Sequence, residues 1–189
     1  MNIGLYFGSF NPVHTGHLII ASHIVNNYPL NEVWFVISPH NPFKKEYSLL
    51  NEHHRLYLVQ QAIEGETKLR ASSVEFNLPK PSYTINTLAY LKEKYPSYTF
   101  SIIMGSDSFS NLERWKNGDI IARDHPIIIY KRPGFEINNP LNATITIADA
   151  PLLDISSTHI RKSVKEGRSI RYLVPDAVKE EIERNGYYR

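Results

Sequence analysis

Short apolar runs alternate along the chain with amphipathic stretches of about helix length. Most of the runs are rich in β-branched and aromatic side chains, which favour strands. The runs at 33–37 and 127–129 are apolar at every position, as strands of a sheet buried on both faces are. The pattern therefore predicts a parallel sheet covered by helices. The predicted strands are residues 3–7, 33–38, 69–76, 99–104, 127–130 and 144–147.

The stretches between and after these strands have the spacing and the end signals of helices. Pro96 ends one of them, Gly167 ends another, and Pro175 directly precedes the last. Ser82 and Thr84 are candidate N-caps. The alternation predicts an α/β fold, a Rossmann-like doubly wound parallel sheet with a small C-terminal helical part. The predicted helices are residues 16–26, 51–63, 84–94, 157–166 and 176–184.

Length and composition indicate a single domain. A chain of 189 residues with 42% hydrophobic content can bury one core. No internal repeat or linker divides the sequence, so we expect one domain over residues 1–189, with 156–189 packed on it as a C-terminal helical segment. Segments 38–48 and 131–141 are rich in Pro, Asn, Lys and Gly, and they are predicted to be functional loops near strand ends.

Charge and residue usage narrow the classes of function. The 21 basic and 19 acidic residues give a net charge of +2 without a long basic run, so a nucleic-acid partner is not expected. The absence of cysteine excludes disulfides, thiolate metal sites and a cysteine nucleophile. The cluster His53, His54 and Arg55 is interpreted as a helix start and not as a ligand set. No apolar stretch approaches the ~20 residues of a membrane span, and we expect a cytoplasmic protein with no membrane partner.

The junction of the first strand and the first helix carries the strongest chemical signal. Residues 8–17 are Gly-Ser-Phe-Asn-Pro-Val-His-Thr-Gly-His. Glycines let the backbone approach a ligand, and His14 and His17 stand near the positive end of a helix dipole, where imidazoles can donate to polyphosphate oxygens. The spacing alone is equally compatible with a structural turn capped by two histidines. It is also compatible with two metal ligands whose third partner the sequence does not identify.

A second candidate phosphate site lies far downstream, at residues 155–161. Its sequence is Ile-Ser-Ser-Thr-His-Ile-Arg, in which hydroxyls precede an apolar-periodic segment and Arg161 follows one turn later. By itself this is a helix N-cap followed by a surface arginine. Together with the first motif it indicates an anion site, because hydroxyls, amides at a helix start and an arginine all bind phosphate.

The two motifs together resemble those of the His-x-Gly-His nucleotidyltransferases. The first matches the signature Gly-x-Phe-(Asp/Asn)-Pro-x-His-x-Gly-His, and the second matches Ile-Ser-x-Thr-x-x-Arg. Asn11 stands where many members carry Asp, and it can make similar hydrogen bonds without a negative charge. The resemblance implies that His14, His17 and Arg161 are catalytic and stabilise the transition state as pyrophosphate leaves. It assigns ATP binding to Gly8, Ser9, Phe10, His14, His17, Gly105, Asp107, Ser156, Thr158 and Arg161.

Further segments narrow the resemblance to the nicotinate-nucleotide adenylyltransferases. They are residues 81–88, 104–107, 113–116, 131–134 and 171–175. The resemblance implies transfer of AMP from ATP to nicotinate mononucleotide in NAD biosynthesis, by in-line attack of the substrate phosphate without a covalent enzyme intermediate. It implies Mg²⁺ as the cofactor that accompanies ATP, with no dedicated metal ligands in the protein. ATP and nicotinate mononucleotide are the expected partners, and the sequence leaves homo-oligomerisation open.

The same segments offer groups that suit a pyridine ring. Trp115 has a flat face, and the resemblance implies that it stacks on the nicotinate ring; a core tryptophan is the alternative. The resemblance also implies that backbone amides near Thr84 and Lys116 hold the nicotinate carboxylate. The Lys116 side chain adds a charge there or is simply solvated.

The remaining candidates concern ribose and phosphate. Asp107 follows a predicted strand and is placed to accept hydrogen bonds from ribose hydroxyls, with a helix cap as the alternative. Lys44 corresponds to a phosphate-binding lysine of the family, and Lys45 is an adjacent candidate. Phe43 replaces the histidine that usually precedes this lysine. Arg132 is expected to contact the mononucleotide phosphate or to border its site, and an exposed loop arginine is the alternative.

Overall fold

Six strands form the centre of the molecule, which is a computed structural model describing residues 1–39, 49–151 and 153–189. The strands are β1 (Asn2–Gly8), β2 (Glu32–Ile37), β3 (Leu69–Ser72), β4 (Thr99–Gly105), β5 (Ile127–Tyr130) and β6 (Ile145–Ala148). They are ordered β3-β2-β1-β4-β5-β6, and every neighbouring pair is parallel. The predicted Rossmann-like doubly wound sheet is therefore confirmed.

This strand order creates a switch point between β1 and β4. The chain adds β2 and β3 on one side of β1 and then returns to add β4, β5 and β6 on the other. Helices diverge to opposite faces at such a point, which leaves a crevice at the carboxyl ends of the two central strands. The helices are α1 (Thr15–Asn27), α2 (Glu52–Ala62), α3 (Thr84–Lys94), α4 (Ser106–Phe109), α5 (Gly118–Asp124), α6 (Ser157–Lys165) and α7 (Asp176–Asn185).

The two faces of the sheet carry separate apolar cores. Along β1 the side chains alternate, so that Tyr6 joins one cluster and Leu5 the other. The Tyr6 cluster includes Ile24 of α1 and Leu58 of α2, together with side chains of α6 and α7. The Leu5 cluster includes Leu88 of α3 and side chains of α4 and α5. The C-terminal helices α6 and α7 thus lie on the same face as α1.

The structure corrects the predicted strand 69–76. The third strand ends at Ser72, opposite Val36 of β2, and a 3-10 helix over Val74–Asn77 follows. β3 is an edge strand that pairs with β2 alone, so its pairing has no second neighbour to prolong it. The turn into the 3-10 helix buries Glu75, of which 1% is exposed.

Two other predictions about local structure were incomplete. The predicted cap of α3 was wrong, because its N-cap is Tyr83, without a side-chain hydrogen bond to the first turn. Helices α4 and α5 were not predicted, because four and seven residues are too few to show a helical period. No helix in the described ranges is long and apolar enough to cross a membrane.

Candidate active site

A cavity of about 260 Å³ opens at the switch point. Gly8 at the end of β1, Asp107 just after β4 and Tyr130 at the end of β5 contribute to its walls. This is the place where open α/β sheets bind their ligands. Of the residues predicted from the sequence, the cavity is lined by Gly8, Ser9, Phe10, His17, Thr84, Asp107, Trp115, Lys116 and Arg132.

His14 and His17 form a stacked pair at the start of α1. Their ring centroids are 3.6 Å apart with an interplanar angle of 20°. The backbone N–H of His17 donates to Nδ1 of His14, and the N–H of His14 donates to Nδ1 of His17, each over 3.3 Å. Because each neutral ring has one acceptor nitrogen and one donor nitrogen, these bonds assign the proton to Nε2 in both. The two rings therefore cap the helix with one nitrogen and keep an N–H donor on the other.

The protonation of His14 follows from its position behind His17. The side chain is 4% exposed, and it is His17 that lines the cavity. Burial, together with the positive charge of Arg132, lowers the pKa of His14 to about 4. The inner imidazole is accordingly neutral near pH 7.

The glycines of the first motif make room for these rings. A Cβ atom on Gly16 would lie 3.1 Å from Nδ1 of His14, and one on Gly8 would lie 2.8 Å from Cζ of Phe10. Phe10, which adopts a φ of 44°, in turn packs edge-on against His17 with centroids 5.1 Å apart. The spacing of the motif thus reflects steric requirements in addition to any contact with a ligand.

The second motif packs against the first and forms hydrogen bonds to its backbone. Arg161 donates from Nη1 to the backbone oxygen of Asn11 over 2.8 Å and from Nη2 to Oγ1 of Thr158 over 3.3 Å. Ser157 donates to the backbone oxygen of Pro12 over 2.9 Å. The fold therefore brings together two motifs that are separated by some 140 residues of sequence.

The hydroxyls of the second motif have different positions. Ser156 is the N-cap of α6, and its Oγ accepts from the backbone N–H of His159 over 3.2 Å. Ser157 lines the cavity, whereas Ser156, Thr158 and Arg161 do not. The sequence pattern pointed to Ser156 and missed Ser157, because adjacent hydroxyls at a helix start cannot be distinguished without the direction of the helix.

The pyridine-binding candidates converge on another wall of the cavity. Trp115 and Lys116 face the start of α3, which contributes Tyr83 and Thr84. Nζ of Lys116 lies 4.5 Å from the centroid of the Tyr83 ring, a cation–π contact. The N-cap residue Tyr83 makes no side-chain hydrogen bond to the first turn of α3, and amides at a helix start have no partner within the helix. This wall combines an aromatic face, a positive charge and helix N-terminal amides.

Asp107 and Arg132 form a polar edge between these two walls. Oδ1 of Asp107 lies 3.8 Å from Nε of Arg132, and the Arg132 guanidinium lies 5.4 Å from the centroid of the Tyr130 ring. Tyr6 donates to the Tyr130 hydroxyl over 3.3 Å, and burial raises the pKa of Tyr6. A Cβ atom on Gly105 would lie 2.3 Å from Oδ1 of Asp107, so glycine at this position leaves room for the Asp107 carboxylate.

Several polar side-chain atoms near the cavity are buried without a hydrogen bond of normal geometry. Within the described ranges they are Oε2 of Glu75, Oγ of Ser82 and Nε of Arg132, although the hydroxyls of Ser38 and Ser82 are close enough to the Glu75 carboxylate to lower its pKa. All three residues line the cavity. Leaving such an atom unsatisfied costs about 1–3 kcal/mol, and concentrating several at one cavity is expected where a polar ligand satisfies them. Burial raises the pKa of Glu75, while a 2.8 Å hydrogen bond from Thr87 lowers it.

Sequence reasoning missed part of this lining. Glu75 fell inside a predicted strand, and Tyr6 and Tyr130 had the pattern of ordinary strand side chains. No signal in one sequence distinguishes a strand tyrosine that faces a cavity from one that packs in a core. Lys44 and Lys45 lie outside the described residues.

Known proteins share this sequence and this architecture. Residues 5–163 match the family described as cytidylyltransferase-like. A Flavobacterium johnsoniae protein named "Probable nicotinate-nucleotide adenylyltransferase" is 47% identical over 192 residues, covering 100% of both chains. A Bacteroides fragilis protein with the same name is 44% identical over 180 residues, covering 95% of this chain and 90% of the other.

The solved structures agree with these relatives. The Plasmodium falciparum nicotinic acid mononucleotide adenylyltransferase complexed with NaAD superposes with a TM-score of 0.85 at 25% identity, covering 99% of this chain and 97% of that one. The same enzyme complexed with APC gives a TM-score of 0.84. The family resemblance drawn from the sequence motifs is confirmed. The chain belongs to the cytidylyltransferase-like family and, within it, to the nicotinate-nucleotide adenylyltransferases.

Proposed function

We propose that this protein transfers the AMP group of ATP to nicotinate mononucleotide, forming nicotinic acid adenine dinucleotide and pyrophosphate. The observation that carries the proposal is the cavity at the switch point. One of its walls is formed by the His-x-Gly-His loop, and another by Trp115, Lys116 and the uncapped start of α3. The first wall suits a triphosphate, and the second suits an aromatic acid.

The reaction needs alignment and charge neutralisation rather than an activated side chain. A phosphate oxygen of the mononucleotide forms a bond to the α-phosphorus of ATP, while the bond from that phosphorus to the bridging oxygen of pyrophosphate breaks. Because the attacking oxygen is already ionised near neutral pH, no general base is required. In this proposal Nε2–H of His17, which lines the cavity, donates to the departing charge. The family motifs assign the same role to Nε2–H of His14 and to the Arg161 guanidinium, which do not line the cavity in this structure.

The other candidates are assigned by the wall on which they lie. Gly8, Ser9 and Phe10 line the ATP side, and Ser156 and Thr158 support it from the start of α6. Asp107, with Gly105 behind it, is proposed to bind ribose. Thr84, Trp115, Lys116 and Arg132 are proposed to bind the nicotinate mononucleotide, with Lys44 as a further candidate outside the described residues.

The implied Mg²⁺ fits this site only as a companion of ATP. Among the described residues, no group of three or more His, Asp or Glu side chains is arranged to hold a metal ion. Asp107 is the partly exposed carboxylate of the cavity and is already near Arg132, whereas Glu75 is buried. Mg²⁺ commonly binds through phosphate oxygens and water with few protein ligands. A magnesium ion that accompanies ATP therefore stays a prediction.

The proposal is tested by comparing nicotinate mononucleotide with nicotinamide mononucleotide under saturating ATP, with pyrophosphate release as the measurement. We expect kcat/KM to be at least about 10-fold higher for the acid, since a carboxylate can meet both the α3 amides and Lys116. Lys116→Gln keeps the backbone amide and removes the charge, so it should reduce this preference without abolishing turnover. Equal kcat/KM for the two substrates, or turnover of neither, would contradict the proposal.

A further inference from the structure

We propose that Arg55 is a positioning residue for ATP, which fixes the backbone of the β1–α1 loop (residues 9–14) and places a permanent positive charge behind it. The inference rests on the proposed function and deepens it. Arg55 does not line the cavity, and the sequence pattern assigned it to a helix start. Its role is argued from what its guanidinium contacts.

The Arg55 side chain on α2 is fully buried, and among the described residues its partners are backbone oxygens. Nη1 donates to Ser9 over 2.6 Å and to Ser38 over 2.9 Å. Nε donates to Leu50 over 2.7 Å, and Nη2 donates to Pro39 over 3.3 Å. One guanidinium thus connects three segments: the β1–α1 loop at Ser9, the segment after β2 at residues 38–39, and Leu50 just before α2.

No carboxylate neutralises this cation directly. Across the described ranges, no Asp or Glu oxygen forms an ion pair with Arg55. The charge of Glu52 does reach it, but Glu52 is itself paired with Lys80 at 2.8 Å. An unpaired charge is expensive to bury, and a neutral side chain would pack at lower cost. An anion bound in the cavity would supply the counter-charge that the buried Arg55 guanidinium lacks.

The contact with Ser9 also sets the direction of the next amide. In a trans peptide the C=O and the N–H point in opposite directions, and the Ser9–Phe10 bond is trans. Because the Ser9 oxygen is held toward Arg55, the Phe10 N–H is turned to the other side of the loop. Both residues line the cavity. We infer that Arg55 presents this amide to the phosphates.

A second link reaches the loop through Leu50. The backbone oxygen of Leu50 accepts from Arg55, and its N–H donates to Oδ1 of Asn11 over 3.2 Å. Arg55 therefore holds the loop directly at Ser9 and indirectly at Asn11. Loss of the guanidinium would release both points together.

The test compares Arg55→Met, which removes the charge and the donors, with Arg55→Lys, which keeps the charge but loses the fork of donors. The matched control is Leu58→Ala, which opens a cavity at a fully buried position of the same helix and removes no charge or hydrogen-bond donor. Binding of ATP and of inorganic tripolyphosphate is measured by calorimetry at two salt concentrations, with thermal unfolding of each variant in parallel. Calorimetry reports on the anion site whichever mononucleotide is the acceptor, so a failed proposed function remains distinguishable.

We expect Arg55→Met to weaken tripolyphosphate binding at least about 10-fold, as loss of charged hydrogen bonds does. Its salt dependence should be shallower, since one positive charge is gone. Arg55→Lys should lose less, and Leu58→Ala should lower Tm with binding unchanged. Wild-type tripolyphosphate affinity in Arg55→Met, or equal weakening in Leu58→Ala, would overturn the proposal. If Arg55→Met does not fold, unchanged affinity of Arg55→Lys at both salt concentrations would overturn it instead.

Discussion

At the scale of single residues, the histidine pair shows how one side chain can have a structural role and a proposed chemical role. Nδ1 of each ring accepts the backbone N–H of the other residue, so the start of α1 orients both rings. The proton on Nε2 follows from that exchange. The interpretation of a helix cap and that of a phosphate ligand, which the sequence left as alternatives, are compatible because they use different nitrogens.

Replacing His17 by Ala should lower kcat by about 10²- to 10³-fold, the usual cost of removing a donor to transition-state charge. The control is His23→Ala on the same helix, whose side chain lies outside the cavity. Steady-state kinetics with ATP and nicotinate mononucleotide measure the effect, and thermal unfolding checks that both variants fold. Near wild-type kcat in His17→Ala would contradict the assigned role.

Asn11 is a second case in which contacts explain the residue type. Oδ1 accepts from the N–H of Leu50 over 3.2 Å and from the Tyr188 hydroxyl over 2.9 Å, while its backbone oxygen accepts from Arg161. These bonds require an acceptor at Oδ1 and do not require a negative charge. An amide at this position therefore satisfies the same two donors that a carboxylate would.

At the scale of elements, the turn after α7 contributes to the site from outside the cavity. α7 packs against α2, Gly186 ends it in the left-handed region with a φ of 64°, and the chain then delivers Tyr188 to Asn11. Burial raises the pKa of the Tyr188 hydroxyl well above its ordinary value, so the hydroxyl stays protonated and can donate. This turn is one of the supports of the β1–α1 loop.

Removing the Tyr188 hydroxyl should therefore affect catalysis through the loop. We expect Tyr188→Phe to lower stability by about 1 kcal/mol, as loss of one hydrogen bond does, and to lower kcat/KM for ATP several-fold. Tyr187→Phe is the matched control, because its hydroxyl contacts His54 at the exposed surface over 2.9 Å. The measurements are urea unfolding and ATP kinetics; the same kcat/KM in both variants would show that the contact is structural only.

The bounds of a helix or strand were predicted correctly where the local sequence pattern alone determines them. α3 is correctly bounded at Thr84–Lys94 and β5 at Ile127–Tyr130, because each has a clear period or a continuous apolar run. Glu75 was misplaced in a strand, since the end of β3 is set by pairing with β2 and not by its own residues. Residues such as Arg55 are beyond local patterns altogether, because their partners lie in three separate segments.

At the scale of the whole molecule, the sheet order explains why the candidate site was partly predictable. A doubly wound sheet has one switch point, so motifs that follow β1 and β4 must meet there. The first motif and Asp107 were predicted as site residues because each follows a predicted strand, whereas the strand order that brings them together was not predicted. Ser157 lines the cavity and Ser156 does not. Which of the two adjacent side chains reaches the cavity depends on how α6 packs, and sequence spacing does not predict that.

The stability of the whole fold should decrease in mild acid because of His14. Its pKa is about 4 when folded and 6.5 when unfolded, so between these values the unfolded chain binds a proton that the folded protein does not. The free energy of unfolding should therefore fall as pH is lowered through this window and level off below about pH 4. The difference between the two pKa values of His14 corresponds to a loss of at most about 3 kcal/mol in the free energy of unfolding.

Urea unfolding of the wild type and of His14→Gln at pH 7 and pH 4.5 tests this dependence. Burial raises the pKa of Glu75, so protonated Glu75 adds to the free energy of unfolding in acid and this contribution is lost as pH rises. The effect has the opposite sign to that of His14 and is present in both proteins. The difference between the two proteins in this pH dependence is therefore due to His14. On acidification the free energy of unfolding of the wild type should fall by about 2 kcal/mol more than that of His14→Gln. Parallel losses in both would refute the assigned burial of a neutral imidazole.

The hydrogen bond between Tyr188 and Asn11 spans 177 positions of the sequence, and this has a consequence for the order of synthesis. At roughly 5–20 residues per second, a ribosome makes the histidine loop about 10–35 seconds before the tyrosine that supports it. The loop and its imidazoles are therefore translated early and must wait for their last support. Affinity for nucleotide should arise late in biosynthesis, after most of the sheet has been able to form.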